Sequence, residues 1–157
     1  MTVSAPDHNA IPCDGCTACC KTDQVILRPE VGDDPAAYEV EYIASALYPG
    51  QRVPALKRDP QTGACVYLGP AGCTIHDRAP SICRRFHCAR MFKALGQLSR
   101  AKRDVLWARG DVLEEAIVER GRDRYQLARS LGLDAVLDTE LQVAAFEKIV
   151  AATPRQR

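Results

Sequence analysis

Residues 13–20 read Cys13-Asp14-Gly15-Cys16-Thr17-Ala18-Cys19-Cys20, and this stretch decides how the front of the chain is built. Three thiols recur at equal intervals, and a fourth follows directly. A Cys-x-x-Cys step lets two thiolates converge on one metal, and a third equal step is typical of iron–sulfur ferredoxins. Zinc sites more often pair two such steps from separate places. The motif therefore indicates a thiolate metal site and leaves the metal open.

Adjacent Cys19 and Cys20 would point to opposite sides of an extended chain. We therefore do not expect both of them to complete the shell of a single metal. The alternatives for one of the pair are a ligand to a second metal, a bridge between two metals, a redox partner, or a small buried apolar residue.

A second group of four cysteines follows at Cys65, Cys73, Cys83 and Cys88. Four thiols suffice for a tetrahedral site, so the two groups could make two separate centres. They could also share one cluster and leave a second site incomplete. With so many thiols available, we expect His87 and the nearby His76 to be structural groups or neighbours of the ligands.

Length, charge and hydropathy limit which partners and which compartment can be expected. A chain of 157 residues fits one domain, and 21 basic against 20 acidic residues give a net charge of +1, so nucleic acid is not expected as a partner. Residues 1–12 lack the features of a secretory signal, and no apolar stretch is long enough for a membrane. We therefore expect a cytoplasmic protein, in which the cysteines are metal ligands and not disulfides.

The cysteines also predict the organisation of the chain. All eight lie between Cys13 and Cys88. We expect a flexible N-terminus over 1–12, a cysteine-cluster metal-binding region over 13–88 and a helical region over 89–157 packed on it. In the front part, the pattern predicts a strand at Val25–Leu27 and a helix over 36–47. Frequent Gly and Pro over 49–80 predict loops that a metal organises.

Beyond Cys88 the apolar spacing becomes helical. It predicts one helix over about 90–109 and another over 113–131, capped by Asp111 and ended by Gly132. A last helix is expected to open at Asp134 and to turn inward the side chains of Leu137, Leu141, Ala144, Ala145 and Ile149. The predicted fold is mainly α with short strands, in a single small domain.

A basic run crosses the boundary between the two regions. Residues 84–109 contain eight basic residues and one acidic residue, Asp104. The run could lower the pKa of nearby thiols, bind a phosphate-bearing partner, or be a solvated helix face. For Arg84 and Arg85, which lie between Cys83 and Cys88, a place beside the sulfur ligands and plain solvation are equally expected.

Together the two cysteine groups resemble the CxxCxxCC family, also called the YkgJ-like cysteine cluster family, whose name refers to zinc or iron chelation. Cys13, Cys16, Cys19 and Cys20 reproduce its opening motif. The later part matches at Cys65, Leu68, Cys73, Ile75, Arg78, Pro80, Cys83, Arg84, Phe86 and Cys88, and the resemblance ends there. It implies that all eight cysteines are metal ligands and that the protein is bacterial. We also expect Arg78 and Arg84 to lie beside the bound metal. The resemblance leaves the metal open, and together with the equal cysteine spacing it makes Zn²⁺ or an iron–sulfur cluster of the 4Fe–4S type the expected cofactor.

The leading hypothesis is a cysteine-cluster protein that binds a metal ion or cluster. The alternative is an iron–sulfur-dependent enzyme for methyl transfer or redox chemistry, or an electron carrier, because the larger flagellin lysine methylases carry a similar cluster. A thiol–disulfide protein ranks last, since its usual strand–helix context is missing. No constellation identifies catalytic residues, so enzymatic activity is left open, as is a protein partner for the helical tail.

Overall fold

A computed structural model describes Cys19, Lys21 and residues 24–154; the predicted flexible N-terminus lies outside these residues. The described chain is about half helical, and the expected combination of helices and short strands is confirmed. It forms two compact units that divide between Phe86 and His87. We call the described residues up to Phe86 the front unit and those from His87 the helical unit. Among the described helices, none is long and apolar enough to cross a bilayer.

Two small antiparallel sheets form the front unit. Strands β1 (Val40–Ala44) and β2 (Arg52–Leu56) pair in the register Val40↔Leu56 to Ala44↔Arg52. Strands β3 (Leu68–Gly69) and β4 (Gly72–Cys73) form a short hairpin. The expected strand at 25–27 is reduced to a single bridge, Ile26↔Ala55, flanked by backbone hydrogen bonds to β2.

The predicted helix over 36–47 is wrong. Residues Pro35–Ala37 form one 3₁₀ turn, capped by the Asp34 side chain, which accepts a hydrogen bond from Ala36 N at 2.9 Å. The chain then enters β1. Branched and aromatic side chains such as Val40 and Tyr42 suit a strand, and pairing with β2 supplies hydrogen bonds that outweigh the weak helical preference of the alanines.

The segment rich in Gly and Pro contributes to an apolar core in the front unit. Leu27, Leu56, Cys65 and Ile75 are buried in one cluster, against which Cys73 also packs. Leu27 and Leu56 come from the strand region, whereas the other residues come from the loops that follow. Side-chain burial therefore contributes to the order of these loops.

Four helices form the helical unit: α2 (Cys88–Gly96), α3 (Arg100–Arg109), α4 (Glu115–Ser130) and α5 (Glu140–Ala152); the front unit ends in the short α1 (Ser81–Arg85). Helix α2 packs mainly on α4, and α5 packs on α2 and α3. Ala89, Ala128 and Leu137 are buried in a cluster on which Tyr125 and Leu133 pack.

The single helix predicted over about 90–109 is wrong, because residues 97–99 divide it into α2 and α3. Ser99 caps α3 by accepting a hydrogen bond from Lys102 N at 3.3 Å. The Arg103 guanidinium donates to the Leu98 carbonyl at 2.9 Å, at the end of α2. The Ser99 cap at the start of α3 and the Arg103 hydrogen bond at the end of α2 thus favour a break that hydrophobic spacing alone does not reveal.

Three further details of the predicted helices are corrected. Asp111 does not cap α4; its carboxylate pairs with Arg109 at 2.9 Å, and α4 begins at Glu115. Asp134 opens only a 3₁₀ turn, Asp134–Val136, and α5 begins at Glu140. Leu141, near the start of α5, is 84% exposed, whereas Leu137, which precedes α5, is buried as expected. Gly132 follows the end of α4 with φ +72°, as predicted.

Candidate metal site

The predicted ligands are spread over several elements. Cys13, Cys16 and Cys20 lie outside the described residues. Cys19 is half-buried and has helical backbone, so the extended geometry assumed for the adjacent pair does not hold at this position. Of the later group, Cys65 and Cys73 lie around the β3–β4 hairpin, Cys83 is exposed on α1, and Cys88 is the first residue of α2.

The hairpin brings two of the predicted ligands into one environment. Cys65 and Cys73 are free thiols in the same apolar cluster. The Leu68 amide donates to the Cys65 carbonyl at 3.0 Å, and Leu68 is paired with Cys73 across the hairpin. Through this hairpin the chain comes back to the environment of Cys65 at Cys73, only eight residues later in the sequence.

Opposing effects act on the Cys65 thiol. Burial raises its pKa, and a negative charge on Cys73 would raise it further, whereas the Tyr67 amide and the Arg58 guanidinium oppose this. Without a cation the neutral thiol is therefore favoured. A metal ion would replace the proton, because the thiolate is the form that binds metals.

Arg78, which is expected beside the metal, lies against two aromatic rings. Its guanidinium carbon lies 5.8 Å from the ring centres of both Tyr38 and Tyr67. The Tyr38 hydroxyl donates to the Arg78 carbonyl at 2.7 Å, and the Tyr67 hydroxyl accepts from Glu39 N at 2.7 Å. Arg78 thus packs on Tyr67, whose backbone amide opposes the rise in the pKa of the Cys65 thiol. Arg84 lies on α1, where the structure describes its backbone alone.

A buried carboxylate fixes the start of the helix that carries Cys83. Asp33 Oδ1 accepts from Ser81 N at 2.9 Å, and Oδ2 accepts from Ser81 Oγ at 2.9 Å and from Arg28 N at 2.8 Å. Asp33 and Ser81 are only 6% and 4% exposed. The carboxylate therefore joins the turn after Arg28 to the first residue of α1.

His87 performs a similar task for the helix that carries Cys88. Its buried Nδ1 accepts a hydrogen bond from Ala89 N at 3.1 Å and so caps α2. Cys88 is the first helical residue, where unpaired amides and the helix dipole favour a negatively charged group such as a thiolate. The expected structural role of His87 is thus a helix cap.

Much of the basic run is engaged within the chain. Lys93 pairs with Asp134, Lys102 with Glu147 and Arg109 with Asp111, each at 2.9 Å. Arg103 caps the end of α2. These contacts favour a structural role for the distal part of the run over recognition of a phosphate-bearing partner.

Within the described part of the chain, no three side chains of His, Cys, Asp or Glu meet in an arrangement suited to a metal ion. Comparison with known protein families provides separate evidence on metal binding. The model of the CxxCxxCC family, described as "Putative zinc- or iron-chelating domain", matches residues 12–107. The chain belongs to the CxxCxxCC family. No curated protein and no solved structure matches it.

The family match extends past Cys88, where the sequence resemblance was expected to end. It includes all of α2 and most of α3. The region that CxxCxxCC proteins share is therefore longer than the cysteine motif alone indicates, and it continues into the helical unit. Helices α4 and α5 lie outside the match.

The donor chemistry of this CxxCxxCC chain fits the metals in the family's description. Thiolates bind zinc and iron well, and Cys65 and Cys73 already share one environment. The remaining predicted donors would be Cys13, Cys16, Cys19, Cys20, Cys83 and Cys88. A bound metal would supply charge neutralisation and cross-linking among these side chains.

Sequence reasoning missed two residues that shape the ligand-bearing helices. Asp33 acts on Ser81 across 48 residues of sequence, for which the local pattern gives no signal. Gly121 lies inside α4, and its added Cβ would meet the backbone of Cys88. A glycine within a helical pattern is a signal of close packing that could have identified this position.

Proposed function

We propose that the chain binds zinc or iron through cysteine thiolates of residues 13–88. The observation that carries this proposal is the pair formed by Cys65 and Cys73, two free thiols in one apolar cluster within the family match. Cys65 is buried and the half-buried Cys73 packs on the same cluster, so two thiolates there could bind one cation once their protons are released. The helical unit would then serve as a scaffold for Cys88.

The proposed ligand set contains all eight cysteines: Cys13, Cys16, Cys19, Cys20, Cys65, Cys73, Cys83 and Cys88. Four thiolates complete a tetrahedral zinc site. The equal spacing of Cys13, Cys16 and Cys19 favours a 4Fe–4S cluster, which supports the second candidate, an iron–sulfur electron carrier or enzyme. Arg78 and Arg84 are proposed to act beside these ligands, Arg78 through Tyr67.

The cytoplasm of a bacterium is the proposed location. Free thiols at Cys65 and Cys73 fit a reducing compartment, where glutathione and thioredoxin keep cysteines reduced. The bacterial origin rests on the family resemblance alone.

Anaerobic purification, elemental analysis and a visible spectrum test the proposal and separate its two forms. A zinc protein is expected to be colourless, whereas an iron–sulfur protein is expected to be brown and oxygen-sensitive. Replacing Cys65 or Cys73 by serine should lower the metal content. Ile75→Val is the matched control, because it removes one methylene from the same cluster but no thiol.

Metal content should be unchanged in Ile75→Val. A folded wild-type chain that contains no metal and takes up neither Zn²⁺ nor Fe²⁺ under anaerobic conditions would refute the proposal. Equal metal content in the serine variants and the wild type would remove Cys65 and Cys73 from the ligand set.

A further inference from the structure

The close crossing of α2 and α4 occurs at Gly121. A Cβ atom added at Gly121 would overlap the carbonyl oxygen of Cys88, and it would lie 3.1 Å from both the Cys88 carbonyl carbon and the Phe92 Cβ. Ordinary contacts between carbon and a carbonyl oxygen are about 3.3 Å or longer. Because the obstructing atoms belong to the backbone, a side chain at position 121 would force one of the two helices to move.

Glycine at this position has an energetic cost that the crossing explains. Gly121 is buried in the middle of a long helix, where glycine is less favourable than alanine by about 0.5 to 1 kcal/mol. Gly96, at the end of α2, provides a contrast, since an added Cβ there would meet nothing within 4 Å. The requirement for a missing side chain is therefore specific to the place where α4 contacts Cys88.

The contact lies at the first residue of α2, which carries a predicted ligand. The position of a cysteine sulfur follows the position of its own backbone, and metal–ligand distances tolerate deviations of only about 0.2 Å. A shift of the Cys88 backbone large enough to admit a methyl group would therefore disturb a metal shell.

We infer that Gly121 is a positioning residue for Cys88, so that α4, outside the family match, is part of the scaffold of the metal centre. This inference rests on the proposed function. Gly121 acts through the Cys88 backbone and contacts no metal. Movement of one helix against the other would couple packing in the helical unit to metal affinity.

The test compares Gly121→Ala with Gly96→Ala in the full chain. The readouts are the affinity for Zn²⁺, measured by competition with a chromophoric chelator, and the alkylation rate of Cys88 in chelator-treated protein, measured by mass spectrometry. Loss of groups that orient metal ligands lowers affinity by about 10- to 100-fold. We expect a loss of this size in Gly121→Ala, a Cys88 alkylation rate changed by about fivefold or more, and wild-type values in Gly96→Ala.

A Cys88→Ser background separates positioning from general destabilisation. If Gly121 acts through Cys88, adding Gly121→Ala to Cys88→Ser should cause no further loss of affinity. An additional loss equal to that in the wild-type background would overturn the inference, as would wild-type affinity of Gly121→Ala.

Two outcomes need a second measurement. If the wild-type chain binds no metal, the proposed function fails, but an unchanged Cys88 alkylation rate in Gly121→Ala would separately refute positioning. If Gly121→Ala does not fold, Phe92→Leu loosens the same helix pair by removing a ring that lies 5.9 Å from that of Tyr125. Wild-type affinity in Phe92→Leu would then contradict the inference, and a smaller loss in the same direction would support it.

Discussion

Replacement of Asp33 by asparagine is expected to destabilise the front unit. The Asp33 carboxylate uses Oδ1 for Ser81 N and Oδ2 for both Ser81 Oγ and Arg28 N. An asparagine has only one acceptor oxygen at this place, and its NH₂ group is a donor. If the amide oxygen replaces Oδ2, the NH₂ group opposes the Ser81 amide; if it replaces Oδ1, the NH₂ group opposes the Arg28 amide. Either orientation leaves one backbone donor without this acceptor.

The magnitude follows from that lost bond. Hydrogen bonds to a charged group contribute about 1.5 to 3 kcal/mol, and an unpaired buried donor adds a desolvation cost of similar size. Because the lost hydrogen bond and the desolvation of its donor are partly the same contribution, we expect Asp33→Asn to lower the free energy of unfolding by about 2 to 3 kcal/mol. Ser81→Ala removes a single hydroxyl and leaves both backbone amides bonded, so its expected cost is about 1 kcal/mol.

Urea unfolding of the full chain, followed by circular dichroism in the presence of a chelator, measures both variants without a contribution from metal. Asp33→Asn should unfold at lower urea than Ser81→Ala. A change of less than about 0.5 kcal/mol in Asp33→Asn, the size of an ordinary surface substitution, would refute the role of this carboxylate as the anchor of α1.

Three further predictions concern other contacts. The Lys93 ammonium lowers the pKa of Asp134, so the ion pair stabilises the fold above the ordinary carboxyl pKa and is lost as the pH falls through the lowered value. Asp134→Asn should therefore cost about 0.2 to 1 kcal/mol at pH 7 and nothing near pH 2. An equal cost at both pH values in urea unfolding would contradict this role of the ion pair. Leu141→Ser should change stability by less than about 0.5 kcal/mol, whereas Leu137→Ala should cost about 2 to 5 kcal/mol; a cost of about 2 kcal/mol or more for Leu141→Ser in urea unfolding would show that Leu141 is buried and α5 rotated from its position in this structure. Arg78→Lys should cost about 0.5 to 1 kcal/mol, since a lysine ammonium lacks the planar group that lies near both rings, and wild-type stability in thermal unfolding would contradict this contribution.

The helical unit could be predicted where local chemistry decides the structure. Gly132 ends α4 because its left-handed backbone suits glycine, and this can be read from sequence. The break at 97–99 depends on the Arg103 side chain, which donates to carbonyls of the preceding helix. Hydrophobic spacing continues across that break, so the sequence pattern alone favours one longer helix.

The front unit was harder to predict, since strand pairing depends on partners distant in sequence. Val40 to Ala44 become a strand through pairing with residues 52–56. The same limit applies to the candidate site. Cysteine spacing identifies the donors, but the bond from Asp33 to Ser81 and the crossing at Gly121 arise only from the folded chain.

These long-range contacts share one consequence for the metal. Asp33 anchors the first residue of the helix that carries Cys83, His87 caps the helix that carries Cys88, and Gly121 leaves room for the close approach of the Cys88 backbone. Structural zinc contributes about 10 to 16 kcal/mol in peptides that are unfolded without it, and much of that free energy orders the chain. Where hydrogen bonds and packing already fix a ligand-bearing helix, less of the binding free energy is needed for ordering, and more appears as affinity. Each of the two ligand-bearing helices is therefore preorganised within its own unit, Cys83 by the bonds to Asp33 and Cys88 by the cap from His87.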